Sequence, residues 1–80
     1  MELTFEEAVE YLEDGLSVTL ECDDYEYEIS EAHNWVGGDG MEGYISQVLG
    51  NVVYGGAKNI LRLSIDHLSD GGKREVIITE

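Results

Sequence analysis

Carboxylate side chains offer the widest range of chemistry in this sequence, in which eighteen of the 80 residues are Asp or Glu. Paired carboxylates can act as general acid and base, and clusters of them can bind metal ions. However, no nucleophile is paired with a base, and the sequence contains no phosphate-binding loop or cofactor motif. His33 and His67 lack metal-ligand spacing, and residues 39–42 lack the repeated oxygen ligands of a calcium loop. We therefore expect a protein that is not an enzyme and binds neither metal nor cofactor.

Charge is distributed unevenly along the chain. All four Lys and Arg residues lie beyond residue 57, so the first 57 residues carry fourteen acidic side chains and no Lys or Arg, whereas the last 23 are neutral. The formal net charge is −14 at pH 7. Such a field attracts cationic surfaces and repels nucleic acid and anionic lipid. The expected partner is a basic protein surface, with no direct contact to nucleic acid or membrane.

Length and composition predict a single domain over residues 1–80. Hydrophobic residues make up 42% of the chain, which is too much for a disordered acidic tail. No apolar run approaches the ~18 residues that span a bilayer, and the N-terminus is acidic where a signal peptide is basic. We therefore expect a cytoplasmic protein. Cys22 is the single cysteine and is predicted to be a buried structural thiol.

The first half of the sequence predicts a helix followed by a β-hairpin. Thr4 and Glu7 form a capping-box pattern before a helix over residues 5–14. Apolar residues then alternate with polar ones over residues 16–22 and 25–30, which is typical of two strands. A two-residue turn at Asp23 and Asp24 would put every apolar residue on one face, with Tyr25 and Tyr27 in the core; a longer loop is the alternative. The implied pairs are Cys22 with Tyr25, Leu20 with Tyr27 and Val18 with Ile29.

The second half predicts a loop, another helix and two further strands. Residues 30–40 contain three glycines and read as a surface loop. A helix is predicted from about Asp39 to Gly50, or as far as Tyr54, and strands are predicted over residues 61–66 and 76–78. The order α-β-β-α-β-β indicates an α+β domain, with an antiparallel sheet of about four strands and both helices on one face.

The acidic residues of the first half break several local preferences. On the predicted helix, Glu10 forms like-charge i, i+4 pairs with Glu6 and Asp14, and the C-terminal turn is acidic where the helix dipole prefers cations. On the predicted hairpin, Glu21 faces Glu26. Because nothing in this half relieves the repulsion, an external cationic partner is indicated, for which the carboxylates would imitate DNA phosphates. The predicted partner-binding residues are Glu6, Glu10, Glu13, Asp14, Glu21, Asp23, Asp24, Glu26 and Glu28.

The opening segment Leu3-Thr4-Phe5-Glu6-Glu7-Ala8-Val9, with the helix and hairpin after it, resembles the beginnings of small phage-encoded accessory proteins. Its size and acidity are similar to those of DNA-mimic anti-restriction and anti-CRISPR proteins. The resemblance implies an inhibitor or decoy that binds a basic nucleic-acid-binding surface of a CRISPR effector or restriction enzyme in the cytoplasm of an infected host cell.

Three other interpretations stay open. Trp35 could anchor a partner of a protein–protein adaptor, with the acid serving solubility, or it could fold back into the core. An ordinary halophilic domain is also acidic, although twelve Glu against six Asp and a neutral last third fit that poorly. Finally, an exposed edge strand could pair two copies as a homodimer.

Overall fold

Residues 1–32 and 43–80 fold into an antiparallel β-sheet with two α-helices packed on one of its faces. The computed structural model describes residues 1–32 and 43–80, and within them the sheet has six strands in the order β1-β6-β2-β3-β4-β5. The predicted α+β class is therefore confirmed, whereas the predicted strand number and element order are wrong. The elements in chain order are β1 (Glu2–Leu3), α1 (Phe5–Glu13), β2 (Val18–Cys22), β3 (Tyr25–Glu31), β4 (Gly43–Ser46), a 3₁₀ helix (Gln47–Leu49), β5 (Val53–Gly55), α2 (Ala57–Ser69) and β6 (Ile77–Thr79).

Helix α1 begins and ends close to where its sequence predicts. The Thr4 hydroxyl accepts a hydrogen bond from the Glu7 backbone N–H (3.1 Å), and the Glu7 carboxylate accepts one from the Thr4 N–H (2.9 Å), which completes the capping box. At the other end Gly15 adopts a φ of +84°, and the Leu16 N–H donates to the Tyr11 carbonyl (2.9 Å). This Schellman ending turns the chain back toward the sheet.

The β2–β3 hairpin has the predicted register, in which Cys22 pairs with Tyr25, Leu20 with Tyr27 and Val18 with Ile29. Cys22 is buried, as predicted, and its Sγ lies 3.8 Å from the Leu68 carbonyl oxygen. The prediction that Tyr25 lies in the core is wrong, because its side chain is 66% exposed. Tyr25 occupies the core-facing side of its strand at the hairpin tip, where its ring is left largely open to solvent.

Residues 43–55 form two strands where the apolar spacing predicts a helix. Tyr44 of β4 pairs with Tyr54 of β5, and both Gly50 and Asn51 have positive φ in the turn between the 3₁₀ helix and β5. β-Branched and aromatic residues are frequent in this segment, and they favour extended backbone. Because the apolar positions of this segment fit a period of 2 as well as a period of 3.6, their spacing alone does not distinguish strands from a helix. The predicted helix is wrong.

Residues 57–69 form helix α2 where alternation of Leu61, Leu63 and Ile65 predicts a strand. The buried positions recur at helical spacing, and six of the thirteen residues of the segment, its Ala, Lys, Arg and three Leu, are good helix formers. The apparent alternation is thus a subset of a helical stripe. The buried residues of α2 are Ala57, Ile60, Leu61, Ser64 and Leu68.

A hydrogen bond between two serine side chains is fully buried between β4 and α2. The Ser64 hydroxyl donates to the Ser46 Oγ (2.8 Å), and the Val48 backbone N–H donates to the same oxygen (3.3 Å). Both serine side chains are 0% exposed. Because a buried hydroxyl without a partner is costly, this pair fixes how α2 sits on β4.

We expect Ser46→Ala to lower the free energy of unfolding by about 1–2 kcal/mol, because it removes the acceptor of both bonds. Ser64→Ala leaves the bond from Val48 intact and should cost less. Replacing both serines removes both polar groups and should cost less than the sum of the single changes. Urea unfolding of the three variants measures these values, and strict additivity would contradict a shared hydrogen bond.

A second side-chain contact joins α1 to the segment after β6. The Tyr11 hydroxyl donates to Glu80 Oε2 (2.8 Å), and this bond is the main reason why the pKa of Tyr11 is raised above its ordinary value of 10.0. The folded state therefore holds the phenolic proton more tightly than the unfolded state does. Its stabilising contribution is complete below pH 10 and is lost as the pH rises through the raised pKa.

We expect the difference in free energy of unfolding between the parent protein and the Tyr11→Phe variant to shrink above pH 10, because the variant lacks the titrating hydrogen bond. Urea midpoints of both proteins across the alkaline range measure the gap. The difference between their tyrosinate absorbance titrations isolates Tyr11. A gap that stays constant through that range would contradict the assignment.

Candidate functional site

The predicted partner-binding carboxylates lie on two opposite sides of the molecule. Val18, Leu20 and Cys22 of β2 face the helices and are buried, so the alternate residues of β2 and their partners on β3 point to the other face of the sheet. The acids of α1 are exposed on the helical side. We call Glu6, Glu10, Glu13 and Asp14 the helix-side carboxylates, and Glu21, Asp23, Asp24, Glu26 and Glu28 the sheet-side carboxylates.

The sheet-side carboxylates stand at fixed spacings set by the strands. Glu21 is paired directly with Glu26, as predicted, and Glu28 is paired with Thr19 one step along the same face. Directly opposed Cβ atoms in such a pair lie about 4.5–5.5 Å apart, and alternate residues on a strand about 6.5–7 Å apart. Glu26 and Glu28 are exposed, and Glu21 is half-buried. The face therefore carries a closely spaced row of like charges.

The hairpin tip continues this acidic surface. Asp23 and Asp24 have φ values of +51° and +69°, as a primed two-residue turn requires, although Asp-Asp is a poorer primed turn than Asp-Gly. Both side chains border an open depression of about 500 Å³ beside the exposed Tyr25 ring. The residues that line it are Glu21, Cys22, Asp23, Asp24, Tyr25, Glu26, Glu75 and Ile77.

A cation from the C-terminal third reaches the tip, which the sequence reasoning missed. Arg74 Nε lies 3.4 Å from Asp23 Oδ2, and both side chains are more than half exposed. Arg74 is brought there because β6 pairs with β2. The first half of the chain supplies no Lys or Arg of its own, and the cation that reaches Asp23 comes from the other half. A solvent-exposed ion pair of this kind is worth about 0–1 kcal/mol, so it relieves little of the repulsion.

The helix-side carboxylates have a different electrostatic setting. Glu13 borders a surface depression together with Lys58 and Arg62 of α2. These two exposed cations come from a segment, residues 43–65, that contains no Asp or Glu. The helical side is therefore mixed in charge near the end of α1, whereas Arg74 is the only cation that forms an ion pair with the sheet-side carboxylates among the described residues.

Trp35, which the sequence singles out as a candidate anchor, lies outside the described residues, as do Asp39 and Glu42. Tyr25 is the aromatic residue that the structure places beside the acid. Sequence reasoning assigned it to the core because it has the parity of Tyr27, and only its position at the hairpin tip could have indicated exposure. No helix in the described ranges is long and apolar enough to cross a bilayer.

We expect Asp24→Gly to raise the free energy of unfolding by about 0.5–1 kcal/mol, because glycine adopts positive φ without the steric cost that Asp bears. The matched control is Asp14→Gly, which removes the same charge at a φ of −83° where glycine has no advantage. Urea unfolding compares the two variants. An equal gain in both would show that charge, and not backbone conformation, limits the turn.

Comparison with known proteins assigns no role to this surface, so its chemistry is interpreted from its own residues. No protein-family model, curated protein or solved structure matches this chain. Among residues 1–32 and 43–80, the geometry provides a strand face with a fixed row of carboxylates, an acidic turn and the exposed ring of Tyr25.

Proposed function

We propose that this protein is a non-enzymatic inhibitor or decoy that binds a positively charged, nucleic-acid-binding surface of another protein through its sheet-side carboxylates. The observation that carries the proposal is the direct pairing of Glu21 with Glu26 on an exposed strand face, continued by Glu28 and by the acidic turn. Carboxylates held this close destabilise the free protein. A row of Lys and Arg side chains on a partner would convert that cost into attraction.

The spacing supports imitation of phosphates. Glu21 and Glu26 face each other about 5 Å apart across the strands, and Glu28 follows Glu26 at about 7 Å along β3. Duplex DNA likewise presents a dense array of negative charge, one phosphate per about 1.7 Å of helix axis. A nucleic-acid-binding protein gains free energy from neutralising such an array, and the gain falls as salt rises. At the hairpin tip, the exposed Tyr25 residue borders the same depression as Asp23 and Asp24, and a partner's Arg could stack on its ring there.

The sheet side fits this role better than the helix side. Glu13 shares its depression with Lys58 and Arg62, so a cationic partner would meet like charge there. The two sets of acids also point in opposite directions, and one flat surface cannot contact both. The narrower target class, a CRISPR effector or restriction enzyme of a host-defence complex, comes from the similarity in size and acidity to DNA-mimic anti-restriction and anti-CRISPR proteins and is part of the proposal.

The first test is capture of partners from a nuclease-treated bacterial lysate on immobilised protein. We expect nucleic-acid-binding proteins to be retained at low salt, released at high salt and displaced by duplex DNA. These three properties follow because the partner's groove would exchange phosphates for carboxylates. If no nucleic-acid-binding protein is retained even at low salt, the proposal is wrong. Loss of every captured protein in Trp35→Ala would instead favour the adaptor.

A second test compares the variants Glu26→Lys and Glu10→Lys, which change the net charge by the same amount. Each should stabilise the fold by a few tenths of a kcal/mol, roughly, because each replaces like-charge neighbours by an opposite-charge pair. Only Glu26→Lys should weaken binding of the captured protein, by about tenfold or more. Urea midpoints and a binding titration give both quantities. Equal weakening by the two variants would mean that total charge, not the sheet side, governs binding.

A further inference from the structure

Strand β5 forms one end of the sheet and differs from the rest of the surface in charge. In the part of the chain that the structure describes, β5 pairs only with β4. Val52, next to β5, is 55% exposed, and Val53 within it is half-buried. An edge strand with exposed apolar side chains is a ready site for pairing with another strand.

The charge map restricts which partner can occupy this edge. Residues 43–65, which supply β4, β5 and most of α2, contain no Asp or Glu and include Lys58 and Arg62. Elsewhere a second copy of a chain with net charge −14 would bring carboxylate against carboxylate. Among the described residues, Glu13 borders the Gly55 end of β5, but Lys58 and Arg62 line the same depression and offset its charge, so two copies meet less repulsion here than at the acidic faces. Charged side chains and Pro, two of the devices by which proteins protect edge strands, do not occur in β5, which is three residues long.

We propose that β5 pairs antiparallel with β5 of a second copy, so that the sheet continues through a two-fold axis. Such an interface is isologous, with Val52 and Val53 of each copy packing against the other copy. β3 and β4 separate β5 from β2, so the hairpin tips stay free on both copies. This inference is independent of the proposed function, because it uses no sheet-side carboxylate.

Salt separates the two proposals. The remaining charge of each copy opposes association, and salt screens it, since the Debye length falls from about 10 Å at 0.1 M to about 3 Å at 1 M. Self-association through β5 should therefore strengthen as salt rises. Binding of a cationic partner by the sheet-side carboxylates should weaken over the same range. Either property can be lost without the other.

Sedimentation equilibrium of the full chain over increasing concentration tests the inference. We expect the mass to rise toward twice the 8.9 kDa of one chain, and to do so at lower concentration in high salt. Val52→Glu should weaken the association by about tenfold or more, because it sets two carboxylates near the axis. The matched control, Leu16→Glu, alters a side chain that is 51% exposed and lies beside β2, and it should leave association unchanged.

Hydrogen exchange provides a readout at the strand itself. Amides of β5 should exchange more slowly at concentrations where the dimer forms, and this protection should disappear in Val52→Glu while the urea midpoint stays close to that of the parent. A monomer at every concentration and salt would overturn the inference. Equal effects of the two Glu variants, or a dimer with unchanged β5 exchange, would place the interface elsewhere and overturn it as well.

Discussion

The pairing of β2 with β3 is the contact on which the rest of the structure depends. β2 lies inside the sheet between β6 and β3, and its inward side chains meet both helices, so its register sets which residues enter the core. The same register decides which side chains face the solvent. Because side chains alternate strictly, placing Leu20 and Val18 inside forces Glu21 and its partner Glu26 outward. The burial of the core and the exposure of the carboxylates therefore both follow from the register of β2 with β3.

The fold tolerates its like-charge contacts because each of them costs little free energy and the core is continuous. A like-charge neighbour on a helix or strand costs about 0.2–1 kcal/mol. Full burial of a Leu or Ile side chain contributes about 1.5–3 kcal/mol, and the core contains several that are 0% exposed, including Leu12, Leu20 and Ile60. The surface can therefore hold charges at unfavourable spacings while the packed interior keeps the backbone in place.

Local signals were sufficient for α1 and the hairpin and insufficient for residues 43–69. The capping box, the alternation and the turn at Asp23 and Asp24 are each decided within a few residues. Between Gly43 and Ser69 the apolar residues satisfy both a helical and a strand period, and the choice is made by packing against β3 and α1. The Arg74–Asp23 ion pair depends on the pairing of β6 with β2, which no local pattern contains. The exposure of Tyr25 follows from its place beside the turn, whereas its alternation with polar residues indicates only the core-facing side of the strand.

The place of β6 in the sheet has a consequence for how the chain reaches this structure. β6 is the last strand in chain order, yet it lies between β1 and β2 and provides the neighbouring strand for β1. During synthesis the hairpin can form early, because its contacts are local, but β1 must wait until nearly the whole described chain has emerged. Such long-range closure slows folding. Until β6 arrives, β2 presents an open edge, so the interval before closure is the period in which a nascent chain is most exposed to mispairing.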